Sequence, residues 1–379
     1  MAEKRSIFEE VGEAATKADQ PAGGMIDRGR GGARQAIRAW LIALFALVVV
    51  MIAVGGLTRL TDSGLSITEW RPITGALPPM SETDWQEEFA KYQAIPEFQI
   101  ENKWMQLEDF KRIYWWEWGH RQLGRVIGLV WAAGFVFFWL TKRIPTGWTG
   151  RLLLLGGLGG LQGAVGWWMV ASGLTGSMTD VASYRLAIHL GLAFAILGII
   201  TWFVLLLSRE DRDLMQARRL REARLFSLAT GWLHFALLQI LLGALVVGID
   251  AGRSFTDWPM MGGQLIPPGA MVMEPVWRNF FENPGLVQFI HRIVGYVLAI
   301  FTIIVWMRGR RSANRSTQVA FSAAAIAVAV QIALGIYTVI TAAPWQVAIL
   351  HQLGAVAVWV LILRARFAAQ YPRVTSIRG

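Results

Sequence analysis

The stretch WWEWGHRQLG at Trp115–Gly124 opens a long apolar segment of the chain. A shorter version, HRIVG at His291–Gly295, opens a second apolar segment further along. An imidazole near the start of a membrane helix can bind the iron of heme, and a glycine one turn deeper leaves room for the flat macrocycle. A single histidine at a helix end is more often a packing residue. The repetition favours two heme pockets.

The composition is that of a membrane protein. The chain has 379 residues, of which 54% are hydrophobic, and its charged residues are separated by long uncharged runs. The absence of cysteine excludes disulfides and thiolate metal sites. Residues 1–37 are polar, lack the apolar core of a signal peptide, and are predicted to form a flexible tail.

Eight apolar runs have about the 20 residues needed to cross a bilayer. We therefore predict an all-α membrane protein with eight transmembrane helices. The predicted spans are 38–58, 118–140, 152–171, 184–207, 226–248, 286–307, 317–340 and 346–366.

The distribution of basic residues predicts the orientation. Of the 36 Lys and Arg, 24 lie in the termini and in the loops on the same side, and 8 lie in the other four loops. Basic loops stay on the cytoplasmic side, so both termini are predicted to be cytoplasmic. The net charge of +10 is then a topology signal and predicts no nucleic-acid partner. The short tail has no clear transit pattern, which favours a bacterial inner membrane over a mitochondrial one.

The first half of the chain resembles the second. Gly55–Trp70 aligns with Gly243–Trp258 at a constant offset of 188 residues. We predict two repeat-related four-helix bundles, residues 38–225 and 226–379, related by an axis along the membrane normal. The long outer loops, 59–117 and 249–285, are predicted to form lids over the outer mouths of the bundle.

Four of the five histidines are candidate iron ligands. His120, His189, His291 and His351 each lie a few residues into a span that runs from outside to inside. Facing helices can each offer one imidazole, which predicts two bis-imidazole sites, His120 with His189 and His291 with His351. A zinc site would normally use more mixed ligands. His234 has no histidine at its repeat position and is predicted to pack or to bond between helices.

Glu117 makes the two predicted sites unequal. It precedes His120 by three residues, which places both on one helix face, and its repeat equivalent is the neutral Gln288. The carboxylate could orient His120, pair with Arg121, or exchange protons with a reacting group if partly buried. The last alternative assigns chemistry to the first pocket and electron transfer to the second. Arg121 and Arg292 could neutralise heme propionates or contact lipid headgroups.

These features resemble heme A synthase, specifically its cysteine-free bacterial and mitochondrial type. The resemblance rests on the motif Glu117-x-x-His120-Arg121, the eight spans, the duplicated halves and the long first outer loop, and it covers about residues 36–366. It implies an oxidoreductase of heme A biosynthesis that supports cytochrome oxidase assembly. Heme O would be oxidised at a ring methyl, by successive hydroxylations, to the formyl group of heme A.

The resemblance also implies cofactors, sites and partners. It places heme b on His291 and His351, the substrate heme on His120 and His189, and an essential role in the chemistry on Glu117. A heme O synthase and cytochrome oxidase assembly factors are the implied partners, and a homo-oligomer is compatible with it. Two alternatives remain. A diheme cytochrome b subunit using quinone explains the histidines but leaves Glu117 unexplained, and a transporter predicts broken helices at the midplane.

Overall fold

The computed structural model describes residues 25–373, with side chains from Gly32 onward. Within this range the chain is helical without β-strands, and eight helices are long and apolar enough to cross a membrane. They are α1 (Met25–Leu60), α2 (Leu107–Leu140), α3 (Thr149–Val170), α4 (Ser183–Leu207), α5 (Ala223–Gly248), α6 (Pro284–Gly309), α7 (Arg315–Ile340) and α8 (Trp345–Gln370). The predicted all-α class and the number of spans are confirmed.

Two helices begin more than ten residues before their predicted spans, and the other six begin within three residues of theirs. Helix α2 begins at Leu107 instead of residue 118, because Gln106 and Asp109 form a reciprocal capping box that satisfies free backbone N–H groups. Helix α1 begins at Met25, inside the segment predicted as a flexible tail. The rest of that segment, residues 1–24, lies outside the described residues.

Each half of the chain forms a ring of four helices. Helix α1 contacts α2 and α4, while α3 contacts α2 and α4. The second half has the same order of contacts, with α5 and α7 each touching α6 and α8. The halves meet where α1 and α4 pack against α5 and α8, around buried side chains that include Phe194 and Trp359. The interpretation of the halves as repeats about one axis stays a prediction.

The two long connections, residues 61–106 and 249–283, lie at the same end of the bundle, which we call the long-loop end. The first contains helices Glu82–Gln93 and Pro96–Ile100 and packs an aromatic cluster onto the start of α2. The second has short turns held by Asn279, whose amide donates to the carbonyls of Met273 and Val276. Both connections therefore have ordered backbones that can fix side chains near the helix ends.

Arg59 joins the halves at this end. Its guanidinium, at the end of α1, lies 2.7 Å from Asp62 and 2.8 Å from Asp250, which follows α5. It also lies 3.5 Å from Asp180, in the connection before α4. Burial raises the pKa of Asp62 and of Asp180 above their ordinary values, and Arg59 opposes that shift. The ion cluster stabilises the contact between the first and second halves.

Candidate heme-binding sites

The four candidate histidines lie in the even-numbered membrane helices, which all begin at the long-loop end. His120 is in α2, His189 in α4, His291 in α6 and His351 in α8. Each ring packs against a glycine of another helix.

In the first half these glycines are Gly55 of α1 and Gly166 of α3. A β-carbon on Gly55 would lie 3.0 Å from Nε2 of His120, and one on Gly166 would lie 2.9 Å from Cε1 of His189. Real β-carbons rarely approach another atom so closely, so a side chain at either position would displace the ring.

The second half repeats this packing with Gly243 of α5 and Gly335 of α7. Added β-carbons would lie 3.1 Å from Cε1 of His291 and 2.9 Å from Cε1 of His351. Both histidines line one cavity of about 280 Å³, whose other walls are mainly apolar. Two imidazoles in an apolar cavity, each beside a glycine that leaves space next to the ring, suit a flat macrocycle held through its iron.

Glu117 lies at the first site and is only 3% exposed. Its Oε1 accepts hydrogen bonds from Arg121 at 2.6 and 3.1 Å. Its Oε2 accepts from the Ser66 hydroxyl at 2.7 Å and from the Ile67 backbone N–H at 2.8 Å. Of the alternatives drawn from the sequence, the ion pair with Arg121 is present. The four donors fix the carboxylate in one orientation.

Gln288 occupies the corresponding place in the second half and is 2% exposed. Its Nε2 donates to the Phe255 carbonyl at 3.0 Å, while its Oε1 has no hydrogen-bond partner. Because the second site has an amide where the first has a carboxylate, only the first can bind and release a proton at this point.

Arg121 and Arg292 hold the loop backbone in the two halves. Arg121 donates to the carbonyls of Ile67 and Glu69 at 2.7 and 3.0 Å. Arg292 donates at 2.9 Å to the carbonyls of Phe255 and Asp257, which lie 188 residues after the first pair. Sequence reasoning did not assign this role to either arginine, and contact of either with a propionate stays a prediction.

The prediction for His234 is wrong. The side chain is exposed, and its Nδ1 lies 2.8 Å from the carbonyl of Thr230 in the same helix. It therefore neither packs between helices nor bonds to another helix. The backbone carbonyl one turn earlier in α5 gives the imidazole a hydrogen-bond partner within its own helix.

A buried carboxyl group in the first long connection was also missed. Glu97 is 5% exposed, and its Oε1 accepts a hydrogen bond from Asn102, which also donates to the Tyr92 hydroxyl. Burial raises the pKa of Glu97 to about 8, and the nearby carboxylates of Asp180 and Glu117 add to the shift. In the sequence, a Glu at the start of a short helix looks like an ordinary surface residue.

Comparison with known proteins identifies the family. A family model described as cytochrome oxidase assembly protein matches residues 38–363. The heme A synthase of Ruegeria pomeroyi is 69% identical over 382 residues, which cover 100% of both chains. That of Roseobacter denitrificans is 65% identical over 381 residues, again covering 100% of both. The chain belongs to the heme A synthase family.

Membership of the heme A synthase family confirms the resemblance drawn from Glu117-x-x-His120-Arg121 and places the chain in heme A biosynthesis and cytochrome oxidase assembly. Within residues 25–373 no group of three or more His, Cys, Asp or Glu could hold a metal ion. A heme iron needs only two axial side chains from the protein, because the macrocycle supplies its other ligands. A pair of histidines is therefore sufficient to hold a heme iron.

Proposed function

We propose that the chain oxidises a ring methyl of heme O to the formyl group of heme A by successive hydroxylations. The substrate heme binds in the first half between His120 and His189, and heme b binds in the second half between His291 and His351. The observation that carries this proposal is the buried carboxylate of Glu117, beside histidines, glycines and an arginine that all have counterparts in the second half. A protein that only passed electrons would leave this difference unexplained.

Bound heme supplies a redox-active macrocycle, and an iron with two imidazole ligands has no open position for oxygen. Each hydroxylation would then take its oxygen from water and remove two electrons and two protons from the substrate. The protons would pass to Glu117, and the electrons would pass through heme b, held on His291 and His351, to an external electron acceptor. The protein excludes bulk solvent with the first long connection and holds Glu117 ready to accept protons. Arg121 and the donors from Ser66 and Ile67 hold the carboxylate in one orientation.

The source of the oxygen tests this mechanism. Purified protein that contains heme O is supplied with isotopically labelled water and unlabelled oxygen gas, and the formyl group is analysed by mass spectrometry. Rapid exchange of the formyl oxygen with water is controlled by incubating finished heme A in the same labelled water. We expect label from water beyond that control. In the reciprocal experiment, with labelled oxygen gas and unlabelled water, label in the formyl group would instead support release of one imidazole to admit oxygen at the iron.

We place the protein in a bacterial inner membrane with both termini in the cytoplasm, which puts the long-loop end at the outer face. The excess of basic residues at the other end supports this orientation. Glu117 then releases its protons toward the outer side. A heme O synthase would supply the substrate, and cytochrome oxidase assembly factors would receive the product.

Extraction of the pigments from purified protein tests the function itself. We expect heme b together with heme O or heme A. Two hemes b, with reduction by quinol, would instead identify a diheme cytochrome b subunit, and a colourless protein from heme-replete cells would contradict both functions.

A further inference from the structure

Three of the four candidate ligands have a glutamine partner on a neighbouring helix. In each case the glutamine Nε2 donates to the backbone carbonyl of the histidine. The pairs are Gln162 with His189 at 3.0 Å, Gln239 with His291 at 2.9 Å, and Gln331 with His351 at 2.7 Å. The same nitrogen lies 3.1–3.5 Å from a nitrogen of the ring. Each glutamine is thus held directly beside its imidazole.

The other end of each amide has no partner. The Oε1 atoms of Gln162, Gln239 and Gln331 are buried and accept no hydrogen bond. An unsatisfied buried acceptor costs free energy, about 1–3 kcal/mol in proteins. An imidazole that binds iron through one nitrogen has an N–H on the other, and it normally donates this to an acceptor that orients the ring. The three oxygens are acceptors of the required kind, on amides whose nitrogen lies 3.1–3.5 Å from a ring nitrogen. A rotation of the imidazole on binding iron would bring its N–H to the oxygen.

His120 lacks such a partner. The residue 188 positions before Gln239 is Met51, whose side chain offers no comparable acceptor. Met51 occupies the same place, since its Cε lies 3.4 Å from a β-carbon added to Gly124, as Nε2 of Gln239 lies 3.2 Å from one added to Gly295. The first half therefore has a methionine in the position of the second half's glutamine.

The ring orientations follow the same division. His189, His291 and His351 turn Cε1 and then Nδ1 toward their glycines, whereas His120 turns Nε2 and Cδ2 toward Gly55. The ring without a glutamine is thus rotated by half a turn relative to the other three. This is the difference expected if the amide selects the orientation of the imidazole.

We propose that Gln162, Gln239 and Gln331 are positioning residues that accept the free N–H of an axial imidazole, and that Met51 leaves His120 as the weakest of the four ligands. This inference rests on the proposed heme sites. An accepted N–H makes an imidazole more basic and a stronger ligand for ferric iron. Heme b, with both ligands supported, is retained. The substrate heme has one unsupported ligand, which suits a molecule that must enter and leave.

A reciprocal exchange of side chains tests the proposal. Gln239→Met gives the heme b site the arrangement of the first half, and Met51→Gln gives the first site that of the second. The reduction potential of heme b is measured by spectroelectrochemical titration, and cyanide binding to ferric heme is followed by absorption. Gln318→Met is the matched control, because Gln318 bonds to the Ser312 carbonyl and contacts no histidine.

We expect Gln239→Met to favour ferrous heme b about tenfold, which corresponds to about 59 mV for one electron. Cyanide should bind this variant faster than the wild-type heme b site. Met51→Gln should slow cyanide binding at the substrate heme and increase the heme A retained after purification. Gln239→Glu keeps an acceptor oxygen, so its potential should equal that of wild type or lie below it.

Unchanged potential and cyanide binding in Gln239→Met, at normal heme content, would overturn the proposal. Loss of heme b from both Gln239→Met and Gln239→Glu would also overturn it, because a general packing role would then explain the residue. Loss from Gln239→Met alone would support it. If the wild-type protein holds no heme with two imidazole ligands, the proposed function fails first.

Discussion

The two halves of the molecule hold four histidines in the same way and differ in the polar groups around them. Each ring packs against a glycine of another helix, and the arginines after His120 and His291 donate to equivalent loop carbonyls. Glu117, with its four donors, has as its counterpart Gln288, which makes one bond. The comparison teaches that the two halves share the packing of their histidines and differ in whether a group that can exchange protons lies one helical turn before the first histidine.

The two long connections each contain a carboxyl group with a shifted pKa, and the two shifts have opposite directions. In the first, burial raises the pKa of Glu97 to about 8. In the second, the backbone N–H groups of Gly263 and Gly262 lower the pKa of Asp257, which accepts both bonds at 3.0 Å. The first connection thus contains a carboxyl group that is most stable when neutral, and the second contains one that is most stable when ionised.

Removal of single imidazoles should separate the two halves most strongly. His291→Ala removes a proposed axial ligand of heme b, so we expect loss of most heme b and of all heme A synthesis. His120→Ala should retain heme b and still abolish heme A synthesis. Heme content per protein, measured by chromatography of extracted pigments, checks both results. Equal loss of heme b in the two variants would contradict separate sites.

Glycine-to-alanine substitutions test whether the ring packing matters in both halves. In Gly335→Ala the β-carbon would lie 2.9 Å from the His351 ring, and in Gly166→Ala equally close to that of His189. Overpacking of this kind costs about 1–3 kcal/mol, so we expect heme occupancy to fall about tenfold at the affected site.

Gly157→Ala is the control, because nothing lies within 4 Å of its added β-carbon. It should leave both hemes in place and slightly favour the helix. Normal occupancy in Gly335→Ala and Gly166→Ala would show that the rings have room to move and that the glycines have another role.

The long connections should respond to pH in opposite directions. The pKa of Glu97 in the folded protein, about 8, lies above its ordinary value of about 4.3 in an unfolded chain. The folded state then binds more protons, so the stability of the first connection falls as pH rises between these values. The lowered pKa of Asp257 stabilises the second connection above about pH 4, and this stability is lost at lower pH.

Limited proteolysis at a series of pH values, corrected for the protease's own pH dependence, measures this effect. Cleavage in residues 61–106 should increase from pH 5 to pH 8 in the wild-type protein and much less in Glu97→Gln, whose side chain cannot ionise. An identical pH profile in the two proteins would contradict the assignment.

The sequence predicts features that depend on apolar length and on identical residues at repeated offsets. The eight spans and the Glu117 asymmetry could be found in this way, because a bilayer excludes charge over about 20 residues. The contacts between glycines and histidines could not be predicted in this way, because they depend on how different helices pack against one another. One repeated offset in the sequence did point to them: Gln331 follows Gln162, and Gly335 follows Gly166, by 169 residues in both cases.

Other features depend on local geometry that periodicity does not encode. The early start of α2 depends on a capping box in a loop, and the arginine contacts depend on where the loop backbone passes. His234 was misjudged because a polar residue in an apolar segment suggests a partner helix. A carbonyl in its own helix was sufficient.

The most direct test of unequal sites is the heme composition of Glu117→Gln beside that of Gln288→Glu. The amide at residue 117 cannot accept the protons released by oxidation. We therefore expect Glu117→Gln to retain heme b and to accumulate heme O, with heme A reduced at least about 100-fold, the scale of lost acid–base catalysis. Gln288→Glu should still make heme A. Normal heme A in Glu117→Gln, or loss of its heme b, would contradict a carboxylate that serves chemistry at the first site alone.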